Sequence, residues 1–154
     1  MRLPRRRQNL DLLLRTFNES GVDYLIIGSV AKSHYRYVHG VDDLDLLVSP
    51  TLENSERVVR AIHEVNCRIF GCTKAIDPYY FSKPRRKSEK HPDLWADILT
   101  PVESFSFCDA FSRSIEIQVF DDVRARIVSE RDLDRLDEFR EQRERDDSQE
   151  RESR

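Results

Sequence analysis

The residues of this chain whose types and spacing best suit chemistry are Asp43 and Asp45, in the run Asp43-Leu44-Asp45-Leu46-Leu47-Val48. The apolar run predicts a strand over 43–48. Successive strand side chains point to opposite faces, so Asp43 and Asp45 share one face, about 6–7 Å apart along the chain. Leu44, Leu46 and Val48 take the other face. Two carboxylates on one face repel each other and lose hydration. A dication relieves both costs, and an all-oxygen donor set suits Mg²⁺. The alternative is a solvent-exposed strand end carrying two acids without chemistry. Asp42 points the opposite way and reads as the residue leading into the strand.

Upstream, Tyr24-Leu25-Ile26-Ile27 reads as a buried strand running straight into Gly28-Ser29 and a short helix over 30–37, which Gly40 breaks. A strand, a Gly-Ser turn and a helix start form a phosphate-binding arrangement. Glycine lets a phosphate approach the backbone closely. The first N–H groups of the helix and its dipole favour the anion. The Ser29 hydroxyl can donate to a phosphate oxygen, and Lys32 lies one turn into the helix; the alternatives are a plain Ser-capped turn and a solvated lysine. Downstream, Asp97 stands in Leu94-Trp95-Ala96-Asp97-Ile98-Leu99, another apolar strand. An unpaired carboxylate is costly to bury, so Asp97 faces either a metal or a salt-bridge partner. As a third acid it can serve as general base or as a ligand of a second metal ion. Asp93, beside Pro92, reads as loop.

Gly28-Ser29, a short helix, Asp43-x-Asp45 in an apolar strand, and Asp97-Ile98-Leu99-Thr100 later in the chain together resemble the nucleotidyltransferase superfamily that includes DNA polymerase beta. The stretch Tyr24 to Ile62 is most similar to small stand-alone bacterial members, the AbiEii-like toxin–antitoxin group among them. The resemblance runs over about residues 9–136 and weakens after residue 65. It implies a nucleotidyltransferase fold, two Mg²⁺ ions on Asp43, Asp45 and Asp97, and ATP or another nucleoside triphosphate held by Gly28 and Ser29. It also implies an acceptor (a tRNA end, a protein side chain or a small molecule) whose hydroxyl attacks the α-phosphorus as pyrophosphate leaves. Many members carry a lysine in the final helix. Asp137 stands at that place here, and Arg135 and Arg140 are the candidate substitutes. The opposite reading of the same features is a non-catalytic nucleotide- or partner-binding module, such as one member of a toxin–antitoxin pair.

The elements that position these residues follow from periodicity. Leu10, Leu13, Leu14 and Phe17 mark a helix over 9–18 that Gly21 ends. A helix capped near Ser49-Pro50-Thr51 runs to about residue 65, with Leu52, Val58, Val59, Ile62 and Val65 inward. Cys67 to Phe70 reads as a short strand, and Pro78, Pro84 and Pro92 exclude long elements between 67 and 93. Ser104 to Phe111 reads as a short helix. Ile115, Ile117 and Val119 form a half-buried strand that turns at Asp121-Asp122 into 123–128, and Ser129 caps a last helix with Leu133 and Leu136 inward. The alternation predicts an α/β (α+β) domain over 1–137, a mixed β-sheet flanked by helices, followed by a charged tail over 138–154 that is a frayed helix or disordered.

Composition sets the outer limits. The chain has 154 residues, 38% apolar and 36% charged, with a net charge of −3. That balance points to one globular domain with no membrane span, and any nucleic-acid contact must come from a local patch. The basic N-terminus lacks an apolar segment, and Cys67, Cys72 and Cys108 lack metal-site spacing. Each is expected to be a buried reduced thiol, which favours the cytoplasm. Tyr79-Tyr80-Phe81 followed by the basic run 83–91 is expected to be buried aromatics and a solvated hairpin loop; with an RNA acceptor it is where contact would fall. Arg5-Arg6-Arg7 reads as a disordered start, with a second contact patch as the alternative, and His34 and His39 read as structural. So short a chain has little room to define an acceptor, so a partner protein or a homodimer is expected to complete the site.

Overall fold

A computed structural model describes residues 5–38, 43–71, 76–88, 96–120 and 122–152. It is an α+β arrangement with one five-stranded mixed sheet flanked by helices. Helix α1 (Arg5–Glu19) leads into β1 (Tyr24–Ile27), α2 (Gly28–Tyr35), β2 (Leu44–Val48) and α3 (Leu52–Phe70). A 3-10 turn at Tyr80–Ser82 precedes β3 (Ala96–Leu99), α4 (Phe107–Ser112), β4 (Ile115–Val119), β5 (Val123–Ile127) and α5 (Glu130–Glu152). The sheet order is β3-β2-β1-β5-β4. β2 runs antiparallel to β1 and parallel to β3, while β5 runs parallel to β1 and antiparallel to β4. Among the described residues, no helix is long and apolar enough to cross a membrane.

The core forms along the apolar runs of β1 and β2. Leu44, Leu46 and Val48 on β2, and Leu25 and Ile26 on β1, are almost fully shielded from water. Leu10, Leu13, Leu14 and Phe17 close one side as the inner stripe of α1, which packs against α3. α2 packs on β1, β2 and α5. The chain ties α2 to α5 with two ion pairs, Lys32 to Asp137 and Arg36 to Asp134, both at 3.0 Å. Asp132, buried at the start of α5, takes both nitrogens of the Arg113 fork at 2.9 and 3.0 Å and a bond from Ser129 Oγ.

Several expectations need correction. α3 does not stop near 65, and no strand forms at 67–70: the helical stripe of Ile62 and Val65 continues to Ile69, and only Gly71, at φ +82°, ends it. Leu52, expected inward, is exposed, whereas Asn54 and Ser55 in the same turn are buried. α1 begins at Arg5, so Arg6 and Arg7 belong to a helix; the Arg7 guanidinium lies over the Phe120 ring. α4 starts at Phe107, where Ser106 supplies the cap. Cys108 is exposed and Cys67 is half-buried. Cys72, His39, Gly40, Asp121 and the stretch 89–95 lie outside the described residues. Beyond Phe139 the charged segment continues as part of α5 to Glu152, with every side chain exposed.

Asn54, one turn into α3, organises the entry to the sheet. Thr51 caps the helix by accepting from Asn54 N–H, and the Asn54 side chain is 1% exposed. Its Nδ2 donates to Asp23 O at 3.1 Å and to Ser49 O at 2.9 Å, while its Oδ1 accepts from Asp23 N–H at 2.8 Å. One amide thus joins the start of β1, the end of β2 and the helix. Asn54→Ala is expected to lower stability by roughly 1–3 kcal/mol, since three backbone groups lose their partner and the bond to Ser49 O is fully buried. Urea unfolding checks this; a change below about 0.5 kcal/mol would show that water replaces the amide without cost.

Candidate active site

The β1–β2–β3 register brings the acids together. Ile27 stands opposite Asp45, and Asp45 stands beside Asp97 on the parallel neighbour. Asp45 is therefore the middle residue of a row, flanked by the last residue of β1 and by Asp97. The chain leaves that row as α2, at Gly28. Gly28 has φ +70°, and a Cβ built there would run into Asp45 Oδ2. Only glycine combines that backbone angle with that approach. No side chain caps α2, so the Ser-capped turn is not what forms here. Ser29 stands in the first turn and is half-buried.

The strand begins at Leu44, one residue later than the sequence predicts, so Asp43 precedes it. Asp43 still belongs to the cluster electrostatically. Burial, together with the neighbouring charges of Asp97 and Asp43, pushes the Asp45 carboxyl from an ordinary 3.8 to about 6, against the opposing pull of Arg140 and Lys87. Asp43 lies 4.0 Å from Arg6 of α1. Asp97 is 6% exposed, and its Oδ2 lies 3.9 Å from Lys87 Nζ.

Lys87 arrives by a route that the sequence does not announce. The segment 85–88 is not a free hairpin loop but lies along the outer edge of β3. Arg85 N–H donates to Pro101 O, Thr100 N–H to Arg86 O, and Ser88 N–H to Ile98 O, with Lys87 bridged antiparallel to Leu99. Buried Thr100 fixes it further, donating to Lys83 O and accepting from Arg86 N–H, both at 2.7 Å. Arg85 takes φ +59°, a left-handed conformation that costs an arginine about 1–2 kcal/mol, and its guanidinium pairs with Glu103. Phe81 is buried as expected, whereas Tyr79 is exposed and Tyr80 carries Arg86 over its ring at 5.3 Å.

The donor set fits a hard divalent cation. Asp45 and Asp97 offer carboxylate oxygens from adjacent in-register positions, and Mg²⁺ typically takes one or two carboxylates with water and substrate phosphates as its other ligands. Among the described residues, no three His, Cys, Asp or Glu side chains are gathered into a ready metal cage, and Asp43 lies toward Arg6. Lys32 contacts Asp137 on α5, and His34 is an exposed residue set edge-on against Tyr35. The sequence reading missed Arg6 and Lys87 as partners of the acids. For Arg140 a signal was present: Leu133, Leu136 and Arg140 recur at i, i+3 and i+7, the spacing of one helical face. A cleft lined by Asn18, Tyr24, Phe111, Glu116, Arg124 and Arg126 lies toward β4 and β5, away from the acids. No family model matches the chain, and no curated protein or solved structure matches it.

Because the Asp45 pKa is raised by folding, the folded chain holds more protons than the unfolded one between about 4 and 6. Stability then falls as pH rises through that window and stays lower above it. Asp45→Asn is expected to raise stability at pH 7.5 by roughly 1–2 kcal/mol and to change little near pH 3.5. Thermal melts at the two pH values check this; equal effects at both would assign Asp45 an unstrained, solvated carboxylate.

Proposed function

We propose that the chain is a Mg²⁺-dependent nucleotidyltransferase with the nucleotidyltransferase fold. The observation that carries this reading is the row formed by Gly28, Asp45 and Asp97, in which a positive-φ glycine without room for a Cβ meets two in-register carboxylates. Asp45 and Asp97 would hold the metal, with the Asp43 charge beside them, and the ion would offset charge on the attacking and leaving oxygens when bound. The backbone at Gly28 and Ser29 binds the β- and γ-phosphates at the start of α2. An acceptor hydroxyl attacks the α-phosphorus. Its proton passes to the Asp97 carboxylate, the new P–O bond forms, and the bond to the β-phosphate breaks to release pyrophosphate. Arg140 serves in place of the lysine that the resemblance leads one to expect at Asp137, since its cation already acts on Asp45.

One observation favours the non-catalytic module. Lys32 and Asp137 neutralise each other across α2 and α5, which leaves one fewer cation for phosphate. Turnover separates the two readings. With each nucleoside triphosphate and Mg²⁺, the wild type is expected to gain thermal stability with one donor, and Asp45→Asn and Asp97→Asn to lose that gain. Arg140→Ala is expected to weaken nucleotide binding about tenfold, the loss of one charged contact. Labelled-donor transfer and pyrophosphate release then report catalysis. Binding without release over any acceptor would establish a nucleotide-binding module, and no stabilisation by any nucleotide would leave only the partner-binding one.

A further inference from the structure

The cations around the acid row differ in how they are built. Arg6 comes from the first turns of α1, and Arg140 stands on the exposed stretch of α5. Lys87 alone of these is held by a run of backbone hydrogen bonds to a strand that carries one of the acids. Side-chain direction follows from that pairing. Lys87 is opposite Leu99, and Leu99 and Asp97 share a face of β3 because they are two residues apart. Asp45 is level with Asp97 on β2. Asp45, Asp97 and Lys87 therefore lie on one face, in order from the inside of the sheet to its edge. The left-handed Arg85 and the buried Thr100 anchor fix the segment in that position.

We propose that Lys87 is a built-in cation of the acid row: its ammonium takes the place of a second metal ion on the β3 side, so the chain works with one divalent ion. This rests on the metal-binding reading of the acids. The position is suited to the role. A metal ion held by Asp45 and Asp97 would meet the charge of the Lys87 ammonium, which lies 3.9 Å from Asp97 Oδ2. Two cations at one pair of carboxylates compete, and the competition is strong where burial limits screening by salt. The Lys87 charge also reaches past Asp97 to Asp45, whose carboxyl it stabilises in the ionised form. Lysine does what a second ion does, with no dependence on ion concentration, while the remaining side of Asp45 stays available to the ion that travels with the nucleotide.

The test is Mn²⁺ binding to the full chain without nucleotide, read as free Mn²⁺ by electron paramagnetic resonance, for wild type, Lys87→Met, Lys87→Arg and Asp45→Asn. Lys87 is more than half exposed, so the substitutions leave the core untouched. Lys87→Met is expected to bind Mn²⁺ about tenfold more tightly than wild type, or to gain a second bound ion, because removing one nearby positive charge is worth that much at a partly buried site. Lys87→Arg is expected to restore wild-type behaviour, which a merely structural lysine would not predict. Unchanged or weaker binding by Lys87→Met, with Asp45-dependent binding in the wild type, overturns this inference and leaves the metal site standing. Absence of any Asp45-dependent Mn²⁺ binding, in wild type and Lys87→Met alike, overturns the metal site and the inference together.

Discussion

The pairing of β1 with β2 is the constraint on which the rest depends. It sets Ile27 opposite Asp45, so the chain must turn out of the sheet directly beside a half-buried carboxylate. That turn admits only a residue without a Cβ and with a positive φ. It also starts α2 at the same point, with no side chain capping its first backbone N–H groups. A slip of one residue in this pairing would turn Asp45 into the apolar side and Leu44 or Leu46 out of it. The placement of Leu44, Leu46 and Val48 on one face of β2 and of Asp45 on the other is thus fixed by one register. Asn54 locks that register from α3, since it holds the residue before β1 and the residue after β2 with one amide.

Much of this was legible in the sequence, and the limits have physical causes. β1, β2 and the α1 stripe were readable because their apolar residues repeat with a clear period over several positions. The row of Gly28, Asp45 and Asp97 was readable because acids and glycine are conspicuous inside apolar strands. The pairing of β2 with β3 was not, since the register of a parallel pair is set by contacts across about fifty residues of chain. The end of α3 was misread because Cys67 to Phe70 satisfies strand and helix spacing equally well over so short a run. Arg6 and Lys87 were misread for a different reason. Both occur in basic runs, and the composition of a run does not show which of its residues will lie against an acid.

The site gathers more negative charge than solvent alone would settle, and the fold answers from several directions. α1 offers Arg6 to Asp43, the β3 edge offers Lys87 to Asp97, and α5 brings Arg140 within range of Asp45. None of these makes a short, bidentate contact, in contrast with Arg113 and Asp132, where one guanidinium fork closes on one buried carboxylate and holds its pKa below the usual carboxylate range. The difference separates a pair built for stability from a set of charges that can still rearrange. α2 lies between the two kinds, tied to α5 by a half-buried pair, Lys32 with Asp137, and by an exposed one, Arg36 with Asp134, which contributes little energy.

The segment at 85–88 also makes the two borders of the sheet unlike. On the β3 side the chain folds back over its own border, so part of the backbone that would recruit a foreign strand is already used. On the β4 side the sheet order ends, with Ile115 exposed and only Glu116 and Gln118 as polar guards between the apolar positions. Strand addition, whether by a neighbouring molecule in a crowded solution or by a misfolded copy during synthesis, therefore has a preferred direction. A strand added at β4, at the opposite border of the sheet from Asp45 and Asp97, would lengthen the sheet without touching the acid row.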